Sequence, residues 1–470
     1  MERWTSRVGF ILAAVGAAVG LGNIWRFPAV VGQNGGGAYL LPYLIAAFGL
    51  AVPLLIFELS VGRSLRADVV SACRQIGNRV EWVGWVVSVS VLAVLSYYLV
   101  IAGWVFAFLA ANVVGADITF DGLTDTVWPI VLFVLIALLV GVIVSLGVVD
   151  GIERMARVVV PLAFVIIAGL AIYAITLDGF REGLEYFFTP DMSALGDPFI
   201  WSAAFGQVFF SFSVGMGIML TYGSYMDAGT RLTQSAVTIA IADLMVALLA
   251  GIFIFTVVFT HGIEPTIGTE LAFESLPTGF EAMGIGWLVA PAFFALLFVA
   301  ALAPSVSMLE VGVAASMRRF DMSRRRAATV VTGLVLLLGF PSALSYSSIG
   351  FDVAGRPVLD VIDTTVGTFA LPIGAVLLVL VFAWVQDREA FEIQLPSRLL
   401  RLLVAVFVPI VLIGVTLGRI LTGRDLDMWH RLPETSVLGG DLSLGTTVIA
   451  LTAVAVIAYH YRRHRKRQRD

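Results

Sequence analysis

The sequence predicts an all-α polytopic membrane protein with twelve transmembrane helices, on three observations. First, of 470 residues 59% are hydrophobic and 13% charged, with a mean hydropathy of +0.97. That composition excludes the soluble globular class. Second, stretches of the roughly 20 apolar residues that a spanning helix needs recur twelve times. They lie near 8–32, 37–61, 83–111, 128–147, 155–177, 199–222, 233–260, 286–315, 327–345, 359–386, 399–421 and 442–461. Third, the charged residues between the spans alternate in sign from one side to the other.

With a cytoplasmic N-terminus, the inner segments hold Arg3, Arg7, Arg63, Arg66, Arg74, Arg79, Arg154, Arg157 and Arg231. They also hold Arg318, Arg319, Arg324, Arg325, Arg326, Arg388, Arg398, Arg401 and the tail "RRHRKRQR". The outer loops are acidic, with Asp117, Asp121 and Asp125 in one and Glu264, Glu270, Glu274 and Glu281 in another. The asymmetry places both termini inside a plasma membrane, or the inner membrane if the source is bacterial. No long soluble stretch separates the spans, so residues 1–470 read as one domain. Arg3 and Arg7 before an apolar run imitate a signal peptide, but the run continues past Arg26 without a persuasive cleavage site. Cys73 is the single cysteine, which excludes an intramolecular disulfide. The basic tail, 462–470, reads as a solvated end facing anionic lipid rather than nucleic acid. His460 and His464 stand at i, i+4 there, but nothing acidic or thiolate converges on them as a metal site requires.

Two spans are interrupted. "VGAAVGLGN" (15–23) opens the first, and "GQVFFSFSVGMG" (206–217) lies in the sixth. Interruptions at corresponding positions predict two inverted five-helix repeats, 8–177 and 199–386, each starting with a broken helix, then two additional helices over 399–461. Unwound backbone is tolerated at membrane depth only where protein or a polar cavity satisfies it. Close helix packing alone explains Gly20 and Gly22. It does not explain Asn23, Ser211 or Ser213. Unwinding frees carbonyls for a cation and N–H groups for a carboxylate, so one break can hold a zwitterion and its coupling ion together.

Ionisable residues inside spans are costly and usually functional. Asp243, in "AIADLMVALLAG", is too deep to snorkel and needs a cation or a proton. Arg26 and Asp363 share the outer side, where they read either as a gate pair or as two independent snorkelling side chains. Glu58 reads as support for unwound backbone or as an interfacial residue, and Glu310 as structural. Tyr97 and Tyr98 read as packed phenols, or as donors to a substrate carboxylate.

The stretch "RVGFILAAVGAAVGLGNIWRFPAVVGQNGGGAYLLPY" (7–43) closely resembles the neurotransmitter:sodium symporter family, and so do "GQVFFSFSVGMG", "GIERMARVVVP" and "DTTVGTFALP". The resemblance covers nearly the whole chain. It implies the fold of the bacterial leucine transporter, with its broken first and sixth helices. It further implies sodium-coupled import of an amino acid. By position, the first sodium would use the Ala18 carbonyl, Asn23, Ser211 and Asp243 with the substrate carboxylate. Substrate would lie among Ala18, Leu21, Gly22, Val94, Tyr98, Phe210, Ser211, Ser213, Met216 and Met308. Tyr98 would take its carboxylate, Phe210 would cover it, and Arg26 with Asp363 would form the outer gate. Gly20 stands where an acidic residue accompanies monoamine substrates, which favours an amino acid. The apolar side-chain pocket favours a hydrophobic or aromatic one.

Three departures from the family matter. Asp243 stands where many relatives have asparagine, and Ala247 where chloride-dependent ones have serine, so chloride independence is expected. Ala303 and Pro304 replace two hydroxyl ligands of the second sodium. Pro304 has no N–H, which leaves the Ala300 carbonyl without its helical partner. A weaker site from Gly16, Val19, Ala300 and Ser305 is the expectation. "MRRFDMSRRR" (317–326) is basic where the family's inner-gate acid sits, so a different inner gate is expected, with Trp4 and Tyr225 still packing there. A channel would need a continuous polar pore, and an enzyme a nucleophile or metal constellation; neither pattern is present. Transport of another zwitterion, partial proton coupling, a pure amino acid sensor and a homodimer stay open.

Overall fold

The computed structural model describes residues 2–263, 271–386, 389–390, 395 and 397–422. The expected twelfth span, the basic tail, His460 and His464 lie outside the described residues. An apolar chain with no water to bond its backbone must close its hydrogen bonds within helices, and the fold is built almost entirely from them. Helix α1 (Arg7–Ala18) starts where the Ser6 hydroxyl accepts from the Gly9 N–H at 3.0 Å. Helix α2 (Gly22–Gln33) follows at a bend of 53°, and the two form one broken span.

Nine further helices among the described residues are long and apolar enough to cross a membrane. They are interleaved with shorter helices, and in chain order the series runs as follows. First come α3 (Gly36–Leu65), the short α4 (Val69–Ile76), α5 (Asn78–Val114), α6 (Trp128–Ser145) and α7 (Val148–Ala174). The short α8 (Phe180–Phe188) leads into α9 (Pro198–Ser211) and α10 (Ile218–Ser224), the two halves of the sixth expected span. The last are α11 (Leu232–His261), α12 (Gly286–Arg319), α13 (Arg324–Ser345), α14 (Val358–Val385) and α15 (Arg398–Leu417). A small antiparallel hairpin, Asp352–Val353 with Arg356–Pro357, precedes α14.

Both expected breaks are present. Val19 leaves the helix at φ −71°, ψ 109°, and a wider π-type turn over Gly22–Arg26 restarts it. At the second break Ser213, Gly215 and Gly217 take φ of 50°, 78° and 69°. This left-handed region suits glycine and strains serine. The Gly215 N–H donates to Glu58, so the carboxylate reaches the unwound backbone from α3.

The half-helix α10 is held against α3 by bare backbone. A side chain on Gly62 would fall on the Leu220 carbonyl, and one on Gly223 would meet the Leu59 carbonyl. Small residues let membrane helices approach this closely. Gly62→Val is expected to cost about 1–3 kcal/mol through overpacking. The measurement is the melting midpoint in detergent. Gly49→Ala, which faces open space, should leave that midpoint unchanged.

Candidate functional site

The two breaks face each other across a small cavity. Its lining is Ala17, Ala18, Gly20, Gly22 and Asn23 from the first broken span, and Phe210, Ser211, Ser213 and Met216 from the second. Val94 and Tyr98 come from α5, and Pro304 and Met308 from α12. Nine of the ten residues expected around substrate therefore line one cavity. Leu21 does not; its N–H instead donates to the Tyr98 hydroxyl at 3.4 Å.

A polar cluster sits at the edge of the cavity. Asp243 is fully buried in α11. Asn23 Nδ2 donates to Asp243 Oδ1 at 2.7 Å and to Ser211 Oγ at 2.8 Å. Ser211 Oγ in turn lies 3.1 and 3.0 Å from the two carboxylate oxygens. Asn23 Oδ1 points the other way and accepts from the Gly20 N–H at 3.0 Å. Two side chains, from the two broken spans, thus meet at the carboxylate of a third helix. All of the donor atoms are oxygens or an amide that can turn to present one, and such a set suits a hard cation.

The second broken span braces the first. Ser213 Oγ donates to the Ala17 carbonyl at 2.7 Å, and Gln207 Nε2 to the Gly22 carbonyl at 2.8 Å. On the other side of the break, Ala303 and the Pro304 ring face helix α1. The Cβ of Ala303 lies 3.1 Å from where a Cβ on Gly16 would stand, and Pro304 Cγ 3.1 Å from one on Gly20. The Ala300 carbonyl lies 3.7 Å from that same Gly20 position. Ser305 Oγ donates to the Ala301 carbonyl at 2.8 Å.

Phe210 separates this cavity from a second one, lined among others by Arg26, Phe209, Thr368 and Leu412. The Arg26 guanidinium lies 4.9 Å from the centroid of the Phe210 ring, in cation–π contact. The expected direct pair of Arg26 with Asp363 is not among the ion pairs of the described residues. The Tyr97 hydroxyl donates to Asp363 Oδ1 at 2.6 Å.

With this geometry in place, the profile of the sodium:neurotransmitter symporter family matches residues 1–119 and 108–461. The chain belongs to the sodium:neurotransmitter symporter family. A sodium-dependent transporter of Methanocaldococcus jannaschii is 32% identical over 418 residues, 82% of each chain. Another, of Bacillus subtilis, is 33% identical over 394 residues, covering 80% of this chain and 86% of its own. The crystal structure of MhsT in complex with L-phenylalanine superposes with a TM-score of 0.80 at 37% identity, over 89% of this chain and 99% of MhsT. The chain is a multi-pass, sodium-dependent transporter of this family with the leucine-transporter fold, and not an enzyme.

Sequence reasoning missed two groups that the family fold positions. Gln207 stood inside a quoted motif, but nothing in its local pattern pointed it at Gly22. Glu310, read as merely structural, joins Arg324 at 2.8 Å and Tyr225 at 2.5 Å at the far end of α12. A buried carboxylate beside a run of arginines was the available signal.

Asn23→Ala removes one of the donors that stabilise a buried carboxylate, at an expected cost of about 1–3 kcal/mol. The same substitution in an Asp243→Asn background should cost less, because no buried charge is then left short of partners. A double-mutant cycle on melting midpoints without sodium measures the difference.

Proposed function

We propose that the protein imports a hydrophobic or aromatic amino acid together with sodium, without need of chloride, by alternating access. The observation that carries this reading is the convergence of Asn23 and Ser211 on the buried Asp243 carboxylate beside an otherwise apolar cavity. Sodium would bind there to Asp243, Ser211, the Ala18 carbonyl and the Asn23 amide oxygen, after a turn of that amide about its Cβ–Cγ bond. The carboxylate of the amino acid would complete the shell, and the Tyr98 hydroxyl would donate to it. Cotransport follows from this sharing, since each ligand improves the site for the other and the coupling is reciprocal.

Gly20 keeps a competing side-chain carboxylate out of the cavity. Val94, Met216, Met308 and the Phe210 ring offer an apolar, adaptable wall to the side chain of the substrate. MhsT, with its bound L-phenylalanine, supports an amino acid of this class. The fixed charge of Asp243 supplies what a chloride would otherwise supply. The N-terminus would face the cytoplasm, with Phe210, Arg26, Tyr97 and Asp363 on the outer side. Gly16, Val19, Ala300 and Ser305 would hold a second sodium loosely, through carbonyls for the most part, because Ala303 and Pro304 offer carbon where hydroxyls would bind.

Sodium-gradient-driven uptake in proteoliposomes across an amino acid panel is the direct test. Asn23→Ala and Asp243→Asn should each lower that uptake at least about tenfold, equivalent to about 1.4 kcal/mol of lost binding. Replacing chloride with gluconate should leave the rate unchanged; a collapse would overturn chloride independence. Two sodium ions per substrate are expected by flux stoichiometry, with a weak second affinity. A ratio of one would remove the second site.

A further inference from the structure

Residues 327–351 carry no charged side chain, yet helix α13 ends at Ser345, so the uncharged run continues past the span. It enters the loop before the hairpin, where Ile349, Phe351 and Val353 are 60%, 46% and 48% exposed. The same loop touches the start of α6, because the Ser348 N–H donates to the Thr126 carbonyl at 3.0 Å. There Trp128 is 57% exposed. Trp287, which stands near the start of α12, is 75% exposed. Tryptophans at the ends of spans mark the level where bilayer meets water.

These side chains are held outward by a fixed base rather than by a slack loop. The Tyr346 ring packs edge-on against Trp104 at 5.0 Å between centroids, and its hydroxyl donates to the buried Asp360 at 3.1 Å. The Ser347 hydroxyl accepts from the Ile349 N–H at 3.3 Å. Val353 pairs with Arg356 across the hairpin. Between Tyr346 and Gly355 the only charged residue is Asp352. It opens the first strand, where successive side chains point to opposite faces, so its carboxylate lies away from Val353.

We propose that this rim, loop 347–353 with the 126–128 turn, is a lipid anchor: Ile349, Phe351, Val353 and Trp128 enter the headgroup region of the adjoining leaflet. Contiguous exposed apolar side chains mark a protein or a membrane contact, and the bordering spans select the membrane. Helices α6 and α13 pack together beneath the rim and turn Val131, Leu135, Leu337 and Phe340 outward, toward hydrocarbon. The rim prolongs that surface by one step toward water. The fixed base has already ordered the loop, so entry into lipid loses little conformational freedom. The hairpin runs directly into α14, which carries Asp363 beside Tyr97. The anchor thereby holds that end of α14 at a set height in the bilayer. Neither the substrate nor the coupling ion enters into this role.

The test uses the full-length protein in vesicles of phosphatidylethanolamine and phosphatidylglycerol, with a nitroxide label on Val353→Cys. The native Cys73 is buried and stays unlabelled. Collision of the label with oxygen, which concentrates in the bilayer, is compared with its collision with a water-soluble nickel chelate. Glu182→Cys, at an exposed acidic position on α8, is the water reference. The oxygen-to-nickel ratio at Val353→Cys is expected to exceed the reference at least about fivefold, as for a site about 5–10 Å inside the interface. Ile349→Cys, read in the same way, should show the same rise, and each labelled variant should keep the parent's melting midpoint in detergent. Ratios within about twofold of the reference at both positions place the rim in water and overturn the anchor. A rise at one position alone overturns the rim as a unit. Loss of access to both colliders means that protein covers the rim, a second copy of this chain included, and overturns the anchor equally.

Discussion

Every backbone group at membrane depth needs a partner, and at the two helix breaks the partner is the other broken helix. Ser213 and Gln207 of the sixth span bond the Ala17 and Gly22 carbonyls of the first. Asn23 of the first reaches Ser211 of the sixth. Glu58 completes the set by taking the Gly215 N–H. Neither span could unwind alone in hydrocarbon, where each orphaned group costs several kcal/mol. Facing each other, they leave a cavity whose polar rim is made by the same bonds that hold the breaks open.

Asp243 is the charged group that this rim encloses. A fully buried carboxylate is expensive unless it is hydrogen-bonded and met by a cation. Asn23 and Ser211 supply hydrogen bonds and no positive charge. The nearest guanidinium on the cavity axis, Arg26, lies beyond the Phe210 ring. Ionised, Asp243 would give the site an excess of negative charge, which a small cation from solution can satisfy. The other walls, Val94, Met216, Met308 and Pro304, give no polar alternative. Polarity on one side and hydrocarbon on the other would orient the proposed amino acid substrate.

The sequence showed the breaks because glycines, an amide and hydroxyls stand out in an apolar run. It showed Asp243 for the same reason. The residues that meet across the cavity were legible by resemblance to a family with a long, specific motif, and the structure gathers nine of the ten into one lining. What was not legible depends on distance in space between charges of ordinary appearance. Arg26 and Asp363 share a side of the protein, yet Tyr97 takes the place next to Asp363. Glu310 looks like one more carboxylate at a helix end until Arg324, 14 positions on, folds back upon it. Span patterns constrain depth in the membrane and say little about rotation, so pairings between neighbouring spans escape them.

The two ends of the cavity are closed by different physics. Toward Arg26 the wall is a single ring, Phe210, which lines both cavities and is steadied by a cation–π contact. Such a contact is worth about 0.5–2 kcal/mol, so this wall can swing with little expense. Toward the N-terminal segment, residues 2–6, closure combines the Trp4 indole, its aromatic neighbours Tyr222 and Tyr225, the Thr5–Glu153 bonds and the Glu2–Arg324 pair. A ligand shifts such an equilibrium only by its differential affinity for the two arrangements. Sodium bound at Asn23, Ser211 and Asp243 would tie the two broken spans together at their centres. It would therefore strengthen the thick closure, which needs α1 and α10 aligned, and leave the thin one free to move. That asymmetry would let one ion site favour entry from one side and exit on the other.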